Sequence, residues 1–387
     1  MLSFNAIFSR LLPSRPPEAK ASATGRLIAF HAQGRPVWTP RDYAALAGEG
    51  FQKNPVVYRC VRLIAEAAAS VPWLLRDGDK ERDRHPLLDL LDRPNARQSG
   101  PALMEALYGY LLVCGNAYVE AAGVGGEVRE LHALRPDRMK VIPGPDGWPE
   151  AYEYTVAGRS VRFDQAANPP AILHLTLFHP LDDHYGMGAL EAAGTSLDLH
   201  NASAGWNKAL LDNAARPSGA LVYEGEGPLA LDQLERLRKE LEENYQGAAN
   251  AGRPLLLEGG LSWQAMGISP KDMDFIEARR EAARDVALAF GVPPMLLGIP
   301  GDNTYANYAE ANRALWRLTV LPLVNRTARA LAHWLKPAFG EGLALSFDAD
   351  AIDALSADRE ALWARVTAAD FLTGDEKRLA VGYGVRE

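Results

Sequence analysis

Apolar positions along the chain first follow a helical rhythm, then alternate, then return to helical spacing. Asn54-Pro55 opens the first clear helix, an N-cap followed by proline at the first helical position. Val57, Val61, Ile64, Ala65 and Ala68 give that helix one apolar face, and Pro72 stops it. A second helix starts at Pro101, carries Leu103, Leu107 and Leu111, and ends near Gly115-Asn116. From 117 to 178 the period drops to two. AYVEAA, LHALRP, MKVI, YEYTVAG, SVRF and AILHLTLF are short, rich in β-branched or aromatic residues, and separated by turn residues. The first half therefore reads as a mixed α+β domain.

The second half is mostly helical. Over roughly 188–213, Leu190, Leu197, Ala204 and Leu211 recur every seven residues, with Ala193, His200 and Asn207 between them. Half of that seam is polar or small, which suits a ring of helices with a wet side better than a two-stranded coiled coil. Residues 216–268 read as a strand–helix–strand insert. SGALVY and RPLLLEGGLSWQAM flank the amphipathic LDQLERLRKELEENY, whose Leu231, Leu234, Leu237 and Leu241 are expected to face inward. Ser269-Pro270, with Asp272 as reciprocal partner, then caps a charged helix. Met273, Ile276, Ala283, Ala287 and Phe290 form its narrow apolar stripe, and Glu277/Arg280 and Glu281/Arg284 pair at i,i+3. Gly291-Val292-Pro293-Pro294 is a hard stop. A loop over 298–304 leads to a helix from about Tyr305 to Trp334, expected to kink at Pro322 because the ring removes a backbone donor.

Composition narrows the class. The 387 residues are 48% hydrophobic and 23% charged, ordinary for a soluble globular protein, and can bury one large core or a few small ones. A net charge of −8 argues against a protein built to grip nucleic acid, yet is compatible with one that lets it pass. The start is basic, and PSRPP resists regular structure; Arg10 interrupts the apolar run before it, so it reads as a flexible arm rather than a targeting segment. The tail from 341 is acidic, with one or two short helices expected. Cys60 and Cys114 read as reduced, buried thiols. No run of 18 apolar residues occurs, so no membrane span is expected.

Chemistry-bearing motifs are scarce. GxxxxGK[ST], HExxH, CxxC and GxSxG are all absent. Gly123-Val124-Gly125-Gly126 reads as a hairpin turn between two strands, and Pro217-Ser218-Gly219 as a chain turn. One cluster, HLTLFHPLDDHY, places His174, His179, Asp182, Asp183 and His184 close together, with the ligand chemistry of Zn, Mn or Fe. The plainer reading is a solvated strand-end loop. Asp348, Asp350 and Asp353 lack the glycine and terminal glutamate of an EF-hand loop and read as a solvated acidic face. The Asn201-Ala202-Ser203 sequon falls mid-helix and is discounted.

In order and spacing, a series of segments resembles the portal proteins of tailed bacteriophages and phage-derived gene transfer agents, over roughly 54–380. They are NPVVYRCVRLIAEAAASVPW, HPLLDLLDRPN, GNAYVE, ILHLT, YGMGALEAA, NAARPSGALVY, PKDMDFIEARREAARDVALAFGVPPMLLG, TYANYAEANRALWRLTVLPLV and FLTGDEKRLAVGYG. The resemblance implies an α+β portal fold. Its parts would be an arm over 1–53, a wing over 54–187, stem helices at 188–215 and 269–292, and a clip at 216–268. A tunnel loop at 293–304, a long kinked helix at 305–337 and a short helical crown at 338–387 would complete it. It further implies a homo-oligomeric ring of about twelve subunits at one vertex of a capsid, assembled in a bacterial host. Its partners would be the major capsid protein, the large subunit of the terminase motor, a head–tail adaptor protein, and double-stranded DNA passing without sequence preference. Asp302, Asn303, Thr304 and Tyr305 would face the DNA, and Glu235, Arg238, Lys239, Glu242 and Glu243 would dock the motor and then the adaptor. No cofactor, catalytic residue or metal is implied.

The helical seam is compatible with such a ring. Twelve helices spaced about 10 Å apart make a circle about 38 Å across between axes, with a hole of about 26 Å. The alternatives from other classes are a metal-dependent hydrolase using His174, His179, Asp183 and His184, and a monomeric binding or scaffold protein.

Overall fold

The computed structural model describes residues 38–124, 127–212, 219–224, 230–245, 260–265, 275–300 and 305–385. Its centre is a pair of helices, Pro55–Ala69 and Gly100–Cys114, packed against each other. The first begins where its cap residue dictates: Asn54 Oδ1 accepts from the backbone N–H of Val56 and Val57 at 3.0 and 3.2 Å. Its apolar face, Val57, Val61, Ile64, Ala65 and Ala68, is buried. The second helix ends on Gly115, which adopts a left-handed φ of +74°. A side chain there would also strike the backbone of Gly186 and Met187, so glycine is required twice over.

Three small antiparallel sheets surround the helices. One holds Glu127–Leu134, Asn116–Val124 and Ile172–Thr176 in that order, and a second holds Met139–Pro143, Pro149–Val156 and Arg159–Asp164. Between these two sheets Tyr118, Leu134, Met139, Val141, Tyr152 and Ile172 form a satellite core. The alternating segments of 117–178 thus form the strands expected of them.

The third sheet is one that local sequence does not announce. Trp73–Asp77 pairs with Leu343–Phe347 on one side and with Lys80–Glu81 on the other. Residues 338–387, set apart by sequence as a crown, therefore begin with a strand of the body's own sheet. Their end also returns: Val385 N donates to Asp79 O at 2.7 Å, and Arg378 pairs with Glu81 at 2.8 Å. The two expected tail helices are present at Ser356–Thr367 and Gly374–Val381, the latter with a full Thr373/Glu376 capping box.

Two further expectations are corrected. Residues 38–53 were placed in a flexible arm, but they form helical turns over Tyr43–Gln52 laid on the body. Leu46 is 1% exposed, and Tyr43 and Phe51 pack on the core, because these apolar residues cover the seam of the central helices. Residues 1–37 lie outside the described residues. Asp350 is not a solvated carboxylate. It pairs with Arg359 and accepts from Tyr383 Oη at 2.8 Å and Trp363 Nε1 at 3.1 Å. These bonds, led by Arg359, hold its pKa at about 2.

The long helix after the loop is also more irregular than expected. It runs from Tyr305 to Leu315, widens into π-helical turns over Trp316–Val320, and continues from Leu321 to Phe339. Pro322 sits in the first turn after the wide segment, where its missing N–H is tolerated. Both thiols are free and buried enough that their pKa values rise to about 12.

Candidate functional site

The expected seam helix is two pieces, Ala189–Ala192 and Gly194–Asp212, broken at Ala193. Leu190, Ala193, Leu197 and His200 are buried, so the seven-residue spacing did mark the packed side. The longer piece lies against Phe275–Ala289, which buries Ala282, Ala283, Val286 and Ala287, with Phe290 just beyond. Ser196 Oγ donates to Asp285 Oδ2 at 3.0 Å across the pair. On the outer face the expected ion pairs are present, Arg280–Glu277 at 3.3 Å and Arg284–Glu281 at 3.9 Å, both exposed and worth little individually.

A polar cluster fastens this helix pair to the central helix. Asn54 has already spent Oδ1 on its cap, so its Nδ2 donates to His200 Nδ1 at 3.0 Å and to Asn201 Oδ1 at 2.9 Å. Asn201 in turn donates to Glu49 O at 2.9 Å. With Nδ1 accepting, Nε2 carries the imidazole hydrogen. Arg279 Nε, 3.4 Å from Nε2, therefore meets a donor and not an acceptor. Burial first, and the Arg279 charge second, lower the His200 pKa. The sequence reading placed His200 on the seam but did not foresee Asn54 as its partner.

The module between the two helices is described in part. Gly219–Tyr223 and Leu261–Ala265 pair antiparallel, and the helix spans Leu231–Tyr245 as its amphipathic pattern requires. The inward orientation is not upheld for Leu234, which is 52% exposed; Leu237 is half-buried, and the side chains of Leu231 and Leu241 lie outside the described residues. Periodicity identifies an apolar face, but no described part of this chain covers it. Ile276, expected in the inward stripe of the charged helix, is likewise 66% exposed. Glu235, Arg238 and Lys239 lie exposed on the module's helix. Glu242 and Glu243 belong to the same helix, with side chains outside the described residues.

At the far end of the charged helix, Gly291 takes a φ of +66°, and Thr319 Oγ1 from the π-helical segment donates to its carbonyl at 2.8 Å. Pro294–Leu297 then forms a short 3-10 turn, and Arg284 reaches Pro300 O. The chain leading up to residue 301 is thus tied back to the charged helix through Arg284. Asp302, Asn303 and Thr304 lie outside the described residues. Tyr305 is the first residue of the following helix.

The His/Asp cluster does not converge. His174 stacks on Tyr118 with ring centroids 4.2 Å apart. Its Nε2 donates to Asn116 Oδ1 at 3.0 Å, and its Nδ1 faces Tyr152 Oη at 3.4 Å, so both nitrogens are engaged. Burial lowers its pKa to about 3. His179 Nδ1 accepts from Leu181 N, and Asp182 Oδ1 accepts from His184 N and Tyr185 N, which are turn-forming roles. Among the described residues no group of three or more His, Cys, Asp or Glu side chains is placed to hold a metal, and none of the helices is long and apolar enough to cross a membrane.

Comparison with known proteins agrees with this architecture. A chain in the neck of an empty GTA (gene transfer agent) particle, solved with C6 symmetry, is 56% identical, with a TM-score of 0.71 over 90% of this chain and 96% of that one. A chain in the neck of the native particle, solved with C12 symmetry, is 55% identical, with a TM-score of 0.68 over 91% and 96%. An uncharacterised protein of Rickettsia bellii is 43% identical over 339 residues, 86% of this chain and 88% of the relative. The family profile described as phage portal protein matches residues 55–382. That match opens on the first residue of the Pro55–Ala69 helix and closes just past Gly374–Val381, so the chain belongs to the phage portal protein family.

Proposed function

We propose that this chain is one subunit of a ring at a single vertex of a phage-like particle, through which double-stranded DNA enters and leaves. The observation that carries this reading is apolar surface on the outer sides of otherwise well-packed helices. Leu288 is 78% and Leu318 76% exposed, beside Ile276 and Leu199. Large side chains on rigid helical faces need a cover, and head-to-tail contacts between copies supply one in a closed ring. The neck location of the similar chains supports the same assembly.

In this ring the helix pair forms the channel wall, and the 293–304 loop carries Asp302, Asn303, Thr304 and Tyr305 toward the DNA. Negative net charge on every subunit favours sliding, since tight phosphate contacts release counterions and hold the duplex. The helix Leu231–Tyr245, with Glu235, Arg238, Lys239, Glu242 and Glu243, is the docking face for the terminase large subunit during filling and for a head–tail adaptor afterwards. The major capsid protein surrounds the ring. Its role is mechanical, and the energy for packaging comes from the motor.

Mass photometry with negative-stain imaging of the purified chain tests the assembly, and tagging the chain in purified particles tests its place. Rings of about a dozen subunits and label at one vertex are expected. Monomers together with label spread over the shell would overturn the reading.

A further inference from the structure

Leu343–Phe347 is the outer strand of its sheet: Trp73–Asp77 occupies one edge, and among the described residues no strand occupies the other. Gly78 N donates to Gly342 O at 3.1 Å and Asp348 N to Pro72 O at 3.0 Å. In an antiparallel ladder the even-numbered residues therefore turn their N–H and C=O groups to Trp73–Asp77, and 343, 345 and 347 turn theirs away. Leu343 N reaches Gly340 O only at 3.4 Å. The main-chain groups of Leu345 and Phe347 point at an open edge.

That edge borders a positively charged groove. The helix Leu321–Phe339 packs on the strand, and its Arg329, His333 and Lys336 share one face at spacings of four and three. Arg76, opposite Ala344 in the ladder, lines the groove from the neighbouring strand. The groove measures ≈ 330 Å³. Among the described residues no carboxylate pairs with Arg76, Arg329 or Lys336, and Arg76 Nε is sealed from solvent without a hydrogen-bond partner. Elsewhere on this chain arginines are commonly paired, as Arg62, Arg313, Arg359 and Arg378 are. Three unpaired cations around one open strand edge are a concentration of unmet demand.

We propose that this groove takes an extended acidic segment of a partner protein as an added strand beside Leu343–Phe347. A peptide backbone supplies both a donor and an acceptor at alternate residues, matching the outward N–H and C=O groups. Nucleic acid phosphates satisfy the cations and the N–H groups but leave the outward carbonyls without donors. Side chains of an added strand alternate between faces. Carboxylates on one face meet Arg329 and Lys336, and a carboxylate on the other meets Arg76.

Fluorescence anisotropy with the full-length chain and a labelled peptide of repeating Glu-Val-Glu, which places glutamates on both faces of a strand, tests this. Saturable binding is expected, weakened about tenfold or more by Arg329→Glu with Lys336→Glu, and kept by Arg329→Lys with Lys336→Arg. Methylating alternate peptide nitrogens is expected to weaken it similarly while leaving the peptide's charge unchanged. Bound peptide is expected to slow amide exchange at Leu345 and Phe347. Absence of binding would overturn the proposal, as would equal affinity for the N-methylated peptide. Displacement by a short DNA duplex at matched charge concentration would reassign the groove to phosphates and equally overturn it. The N-methyl comparison uses the unaltered protein, so it decides the matter even if the charge-reversed variant misfolds.

Discussion

Asn54 caps one helix with its side-chain oxygen and holds His200, on another helix 146 residues later, with its side-chain nitrogen. A single amide thereby sets the start of the central helix and the lateral position of the Gly194–Asp212 and Phe275–Ala289 pair. Replacing it by alanine removes the cap, about 1 kcal/mol, and strands buried polar groups on His200 and Asn201, about 1–3 kcal/mol more. Denaturant unfolding should show the full loss for Asn54→Ala and only the part of about 1–3 kcal/mol for Asn54→Ser, which keeps the cap. Equal losses would show that the cap contributes nothing, and no loss for Asn54→Ser would show the same of the His200 contact.

Stability should fall with acid partly through His174. Its ordinary pKa of 6.5 is lowered to about 3 by burial, so the folded chain keeps it neutral while the unfolded chain takes up a proton below 6.5. Its contribution is complete above the unfolded value and is lost as pH falls from there toward 3, at up to about 1.4 kcal/mol per pH unit for this proton. His174→Phe, which preserves the ring stack on Tyr118, should flatten the slope of stability against pH in that window. An unchanged slope would show that other groups carry the acid sensitivity.

Asp350 adds to the same acid loss, at lower pH. Its pKa is held down at about 2 by Arg359, so its contribution is present above the ordinary 3.8 and is lost as pH drops through 2. At neutral pH Asp350→Asn should cost about 1–3 kcal/mol. It should also raise amide exchange across Ser356–Thr367 and Gly374–Val381 more than in the central helices. Uniform exchange changes would argue that the Arg359–Tyr383–Trp363 contacts are incidental to tail docking.

Lysine at Asp302, Asn303 and Thr304 should lower the DNA content of particles while rings of normal size still form. The measurement is nuclease-protected DNA per particle. Normal filling would remove this loop from the channel.

Reversing Glu235 and Lys239 on the exposed face of Leu231–Tyr245 should weaken motor binding without changing ring mass. Surface plasmon resonance with the purified terminase large subunit reads this directly. Unchanged affinity would move the docking face elsewhere.

Legibility followed the range of the interaction. The Asn54-Pro55 start, the bounds of Leu231–Tyr245 and the strands of 117–178 rest on signals within a turn or two, and all were readable. Trp73–Asp77 and Leu343–Phe347 were not, because WLLRD and LALSF are short and their partnership spans some 270 residues. The π-helical widening at Trp316–Val320 has no local code, and Pro322 was credited with an irregularity that begins before it. Leu234 and Ile276 were turned inward by a rule that finds the apolar face without saying who covers it. For the candidate site, the polar seam with His200 was visible. Asn54, which fastens it, and Thr319, which holds the Gly291 carbonyl, come from distant elements and left no periodic trace.

The ladder between Trp73–Asp77 and Leu343–Phe347 also bears on synthesis. A nascent chain holds one half of that sheet from early on but cannot close it until residues 343–347 have left the ribosome, and such distant closure is slow and exposes apolar surface meanwhile. A prematurely terminated chain would lack the closing strand and the tail that locks over it. In an assembly where one defective member spoils the whole circle, a fold that completes only at its last segment restricts membership to full-length copies.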